Sequence, residues 1–214
     1  MRTILVANPK GGSGKTTLAT NIAGWLAGKR QRVVLADHDP QRSATEWLAR
    51  RPPLFPPIIG LAPGAKKGEL RGFEPHYVVV DSPAGLHGED LRDAVKDADV
   101  LLVPVSPSAF DIAATAHFLR AVAETKPVRR GALAIGMVAM RVDPRTVSAG
   151  DLEVFLGEVG YPLVTHLRDT QVYVHCARDG ATVFDLPRSR AEQDWGQWRP
   201  LTRWIARHAS PAGN

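Results

Sequence analysis

Cysteine is almost absent from this 214-residue chain: Cys176 stands alone. One thiol cannot form an intrachain disulfide or a cysteine metal cluster, and a reducing, cytoplasmic setting is the simplest expectation. Long hydrophobic runs are also missing. No apolar stretch approaches the ~20 residues that cross a bilayer, and the N-terminus runs into a strand-like segment instead of a signal peptide. Internal repeats and low-complexity tails are absent too. What remains is ordinary for a globular protein, with 44% hydrophobic and 23% charged residues. The length falls in the range of one domain, so residues 1–214 are expected to form a single unit. The balance is basic, with net charge +5 and pI about 9.7. That permits attraction to nucleic acid or anionic membrane without establishing either. Arginine greatly outnumbers lysine, which suits phosphate recognition.

Apolar β-prone runs alternate with helical patterns. Strands are expected at Thr3–Ala7, Arg32–Ala36, Ile58–Leu61, His76–Val80, Val100–Val105, Ala132–Val138 and Leu163–Thr165. Helices are expected at Thr16–Leu26, Ser43–Arg50, Phe110–Ala123, Val147–Val159 and Ala191–His208, with Pro200 forcing a break or a fresh start in the last. Pro52, Pro53, Pro56 and Pro57 mark an insertion. Continuous apolar strands separated by helices predict an α/β fold, with a mostly parallel sheet covered by helices on both faces. Ligands in such sheets sit at the carboxyl ends of strands.

The first strand ends at Lys10-Gly-Gly-Ser-Gly-Lys-Thr-Thr17. This matches the end of the phosphate-loop pattern G-x-x-x-x-G-K-[ST], although Pro9 occupies its first glycine position. Gly11, Gly12, Ser13 and Gly14 can turn backbone N–H groups towards an anion, and the following helix adds its N-terminal dipole. Lys15 is placed to reach β- and γ-phosphates, and Thr16 to put its hydroxyl on Mg²⁺, with Thr17 beside it. Lys10 lies too far upstream to share those phosphates from the same side. It is either a surface lysine or a lysine that reaches a nucleotide held by a second subunit.

KGGSGKTT resembles the deviant Walker A box of the ParA/MinD family of ATPases, and the resemblance extends over nearly the whole chain. It implies a P-loop NTPase fold, ATP and Mg²⁺ as ligands, and an ATP-dependent homodimer in which Lys10 crosses to the partner's nucleotide. Asp37-His38-Asp39-Pro40-Gln41 is similar to the family's first switch. By that match Asp39 orients or deprotonates the attacking water and Asp37 supports the metal shell or the loop. Capping of the helix at Ser43 is the structural alternative for both. His38 is expected to point away from the nucleotide. Val78–Gly85, with Asp81 ending a buried strand, resembles the Walker B strand and second switch, so Thr16, Asp39 and Asp81 form the implied Mg²⁺ set. Val103–Asp111 is similar to a family segment at the dimer face, though Asp111 can equally cap its helix. Relatives often carry an asparagine after the strand corresponding to Ala132–Val138. Met140 and Arg141 stand there and are the candidate base-side contacts.

The basic helical segment 188–208 carries Trp195, Trp198, Leu201 and Ile205 on one face and Arg199, Arg203 and Arg207 on another. A solvated arginine face is the plain reading. Resemblance implies non-specific DNA binding by the dimer late in the chain, with Arg168, Arg178, Arg188, Arg190, Arg199 and Arg203 as candidates. It further implies a nucleoid-associated positioning ATPase, slow alone and stimulated by a ParB-like or McdB-like partner. The cargo would be a plasmid, a chromosome or a protein body such as a carboxysome. The polar, broken end at 208–214 does not resemble a membrane-inserting helix. A metabolic ATP-dependent enzyme is the competing reading, and a DNA-binding module with a vestigial loop the third.

Overall fold

The computed structural model describes residues 1–61 and 72–210. Seven strands form one sheet: β1 (Arg2–Val6), β2 (Val33–Asp37), β3 (Ile59–Leu61), β4 (Tyr77–Asp81), β5 (Val100–Val105), β6 (Ala134–Val142) and β7 (Leu163–Arg168). Their order is β3-β2-β4-β1-β5-β6-β7, and every ladder is parallel. The side chains of β1 alternate between two cores. Ile4 and Val6 pack with α1 (Lys15–Gly28) and α8 (Arg188–His208). Leu5 and Ala7 face α3 (Gly88–Lys96), α4 (Ala109–Ala123) and α6 (Val147–Glu158). Such two-sided burial is why these strands read as continuous apolar runs.

Register fixes the working edge of the sheet. Val6 and Asp37 both pair with Asp81 in neighbouring ladders. The carboxyl ends of β1, β2 and β4 therefore finish level, and the three loops after them leave from one edge.

Three helices were not expected: α3, the short α5 (Lys126–Arg129) and α7 (Gln171–Arg178). In α7 the run Val172-Tyr173-Val174 has strand-like composition. The Thr170 hydroxyl nevertheless accepts the Val172 N–H and starts the helix, and Tyr173 accepts the indole N–H of the fully buried Trp198. Strand β6 runs on to Val142, past the expected end at Val138.

Pro200 does not break α8. The helix passes through it, and the kink lies at Ala191 (φ −132°, ψ 20°). Proline removes the N–H that would bond the carbonyl of Gly196, four residues earlier. The carbonyl of Gln197, one residue on, accepts the Thr165 hydroxyl at 2.5 Å. As expected, Trp198, Leu201 and Ile205 are buried while Arg199, Arg203 and Arg207 are exposed.

The segment before α8 is tied to α2 (Ser43–Ala49) and the turn after it. Arg51 forms a buried two-pronged pair with Asp185 at 3.0 and 3.2 Å, and the Trp47 indole donates to Ala181 O. Gly180 is wedged into this junction. Its φ is +63°, and a Cβ there would lie 2.4 Å from the Arg51 backbone nitrogen. Gly180→Ala is expected to cost about 3 kcal/mol, since neither backbone can yield cheaply. Gly196→Ala on the open face of α8 should leave stability unchanged or slightly raised. Chemical denaturation of both variants checks the contrast, and equal midpoints would refute it. Nearby, Cys176 is buried in the same core, which pushes its thiol up to about 12.

Candidate active site

The loop between β1 and α1 is held from below by Asn8, a fully buried amide. Its side-chain NH₂ donates to Pro104 O at 2.8 Å and to the Thr115 hydroxyl at 2.9 Å, while its Oδ1 accepts the Lys10 N–H at 2.9 Å. One side chain thus fastens the loop to the end of β5 and to α4. Asn8 was not singled out from the sequence, because the groups it joins are about a hundred residues distant. Gly85 N–H donates to Pro9 O at 2.8 Å, bringing the loop after β4 against the phosphate loop.

Gly12 (φ 75°) and Gly14 (φ 93°) take the left-handed backbone that the cradle requires. Met140 lies over Gly14, its Cε 2.7 Å from where a Cβ would stand, although that flexible side chain could swing aside. Lys15 is buried, and its ammonium donates back to Lys10 O at 2.9 Å. Burial lowers its pKa, against the opposing pull of Asp81 and Asp39.

Thr16 and Asp81 are brought together, the hydroxyl donating to Asp81 Oδ2 at 2.7 Å. Asp81 has no solvent exposure, and among the described residues its Oδ1 lacks any hydrogen-bond partner, as does the hydroxyl of the buried Ser13. Burial pushes the Asp81 carboxyl up to about 7; Asp37 and Asp39 add to the rise, and the Thr16 hydrogen bond and Lys15 oppose it. An unsatisfied buried carboxylate oxygen next to a hydroxyl is what a Mg²⁺ bound through one or two protein groups, waters and phosphates would satisfy. Among the described residues no cluster of three or more His, Cys, Asp or Glu side chains forms an all-protein cage.

Asp37 takes the capping role at the start of α2 and holds the loop before it as well. Its Oδ2 accepts both the N–H and the hydroxyl of Thr45, at 2.7 and 2.8 Å, and its Oδ1 accepts the Asp39 N–H. Both oxygens are engaged in holding the first turn of α2 and the switch. Asp39 is half-buried; its Oδ1 accepts the Gln41 N–H, and its charge is felt at both Lys15 and Asp81. His38 turns away, lining a cavity of about 360 Å³ with Val78, Val80 and Ala94. Met140 and Arg141 do reach the loop. Arg141 donates to Gly12 O at 2.6 Å and to the Ser106 hydroxyl at 2.7 Å.

The candidate DNA arginines separate into two groups. Arg168 is engaged by the fully buried Asp194 through two bonds of 2.9 and 3.1 Å, and Arg178 pairs with Asp179. Arg188, Arg199 and Arg203 line an open basin with Lys29 at the end of α1, floored by Trp25 and Trp195. Arg190 is exposed at the start of α8.

A model of the CobQ/CobB/MinD/ParA nucleotide binding domain matches residues 4–175. The chain is 31% identical over 202 residues to the maintenance of carboxysome distribution protein A of Halothiobacillus neapolitanus, covering 90% of this chain and 91% of that protein. It is 30% identical to the chromosome-partitioning ATPase Soj of Thermus thermophilus, over 73% and 76% of the two chains. In fold it is similar to an ATP complex of McdA from Cyanothece (TM-score 0.71, 20% identity, 94% and 96% covered). It is likewise similar to the MinC:MinD cell division complex of Aquifex aeolicus (TM-score 0.74, 19% identity, 100% and 99% covered). With most of its length under that domain model and whole-length likeness to the curated relatives, the chain belongs to the CobQ/CobB/MinD/ParA nucleotide-binding family.

Proposed function

We propose that this chain is an ATPase of the positioning type, which dimerises on ATP, binds DNA without sequence preference as a dimer, and releases it after hydrolysis stimulated by a partner protein. The observation that carries the reading is the Thr16–Asp81 pair with its orphaned carboxylate oxygen, set beside two lysines in one loop. The likeness to proteins named for carboxysome distribution and chromosome partitioning supports the cargo class: a plasmid, a chromosome or a protein body.

The residues then take these roles. Gly11, Gly12, Ser13, Gly14 and Thr17 cradle the phosphates, with Lys15 turning from Lys10 O to the anion. Thr16 and Asp81 would hold Mg²⁺, with Asp39 as a further candidate ligand. Bound there, the cation would draw charge from the β- and γ-phosphate oxygens. Asp39 orients the attacking water and Asp37 fixes the loop that carries it. Lys10 of each protomer reaches the nucleotide held by the other. The basin of Lys29, Arg188, Arg199 and Arg203 is the main part of the basic surface open to DNA phosphates; Arg190 extends it, Arg178 stays exposed beside Asp179, and Arg168 serves folding more than binding. A nucleoid-associated location follows. Among the described residues no helix is long and apolar enough to cross a membrane.

The test is DNA binding, by polarisation of labelled duplexes of unrelated sequence, with no nucleotide, ADP, ATP and a slowly hydrolysed analogue. Binding is expected with ATP and the analogue only, falling steeply with salt. Asp39→Ala should remain on DNA with ATP, because hydrolysis no longer releases it. Equal binding in every nucleotide state would sink the proposal.

A further inference from the structure

Arg141 is the one non-glycine residue inside a strand to carry a positive φ (52°), among the described residues. It bulges from β6, where the pairing with β7 slips between Met140 and Val142. Such backbone costs free energy and persists only where its surroundings enforce it, often at functional sites. A bulge also re-aims a side chain. Here it aims the guanidinium across the sheet edge to a loop 129 residues away, at Gly12 O, and to the hydroxyl of Ser106 after β5.

The target is informative. In a trans peptide the C=O of one residue and the N–H of the next point in opposite directions. Pinning the Gly12 carbonyl outward therefore turns the Ser13 N–H the other way, and among the described residues that N–H has no acceptor. Gly12 has left-handed backbone and no side chain, so nothing local holds its peptide plane. Met140, one residue earlier, packs against Gly14. The end of β6 thus grips the loop at two of its glycines.

We propose that Arg141 is a positioning residue for phosphate binding: it presets the Gly12–Ser13 peptide so that the loop's N–H groups face the anion, instead of reading the base. The inference rests on the nucleotide-binding reading of this loop and deepens it. Arg141→Ala should weaken ADP and inorganic pyrophosphate alike, by roughly tenfold, the scale of losing hydrogen bonds from a charged donor. Arg141→Gly suits the positive φ, so it should keep the wild-type melting temperature while losing the same affinity. Arg141→Lys, which retains a cationic donor, should recover part of the loss.

Calorimetric titration with ADP, competition by pyrophosphate, and melting curves of the free proteins supply the readouts. ADP weakened with pyrophosphate unaffected would place Arg141 on the base and overturn the inference. Affinities equal to wild type would overturn it as well, as would a melting temperature of Arg141→Gly that falls together with its affinity. A wild-type chain that binds neither ligand would instead overturn the nucleotide reading beneath it.

Discussion

Lys10→Ala keeps nucleotide binding near the wild-type level and loses roughly 10³-fold in turnover, the scale of a cation supplied in trans to a phosphoryl-transfer site. The expectation rests on how the residue is held. Its N–H is fixed by Asn8 Oδ1 and its carbonyl accepts the Lys15 ammonium, so the backbone already has a task within its own protomer. Among the described residues its own ammonium has no hydrogen-bond or ion-pair partner. Alanine preserves both backbone bonds and removes only what the side chain does elsewhere. Three measurements separate the outcomes: equilibrium nucleotide binding, sedimentation with ATP, and phosphate release with the stimulating partner or DNA. Binding should survive while the ATP-dependent dimer, turnover or both collapse. A variant that assembles and turns over like wild type returns Lys10 to an ordinary surface lysine.

Asp81→Asn makes the nucleotide- and metal-free protein more stable at pH 8, by a smaller margin at pH 5, with no gain left below about pH 4. The folded protein raises this carboxyl from 3.8 to about 7. Between those values the folded state holds a proton that the unfolded chain releases, so this group's contribution falls as pH rises through the window and is fully unfavourable above pH 7. Three units correspond to about 4 kcal/mol, an upper figure. Asparagine removes the charge and keeps an oxygen to accept the Thr16 hydroxyl. Melting curves in a metal chelator at pH 5 and 8 read the difference. Adding Mg²⁺ to protein already saturated with ADP should raise wild type more than the variant, because the carboxylate gains more from the cation than an amide does. A variant equal to wild type at both pH values would show that Asp81 is not strained by its own charge.

The parts of the site legible in the sequence were those written in adjacent residues. The phosphate loop sits between a strand and a helix, and Asp81 ends a run of valines. The strands flanking them needed only local pattern, and their parallel order followed from the helices between. Asp37 was ambiguous until Thr45 was seen to occupy its Oδ2 and the Asp39 N–H its Oδ1. Arg141 was placed beside the nucleotide by likeness alone; its grip on Gly12 depends on a bulge and a positive φ that no local pattern records. Arg168 looked like any other basic residue, because its partner Asp194 belongs to a helix 26 residues later. Helix α7 was hidden by its Val-Tyr-Val run, whose strand preference is outweighed by the packing of Val172 and Tyr173 on the core and the Tyr173–Trp198 bond. Pro200 reads as a breaker from sequence, while the burial of Trp198, Leu201 and Ile205 on either side of it accompanies a helix that runs through.

The solitary thiol has a practical consequence. Cys176 is shielded by the core and holds its proton far above neutral pH, so electrophilic dyes and disulfide reagents will pass it by. A cysteine introduced at an exposed position, such as Phe110 on α4, would be the sole reactive handle in an otherwise native chain. Spectroscopic distance measurements between two copies can therefore begin without first stripping the protein of its own sulfur chemistry.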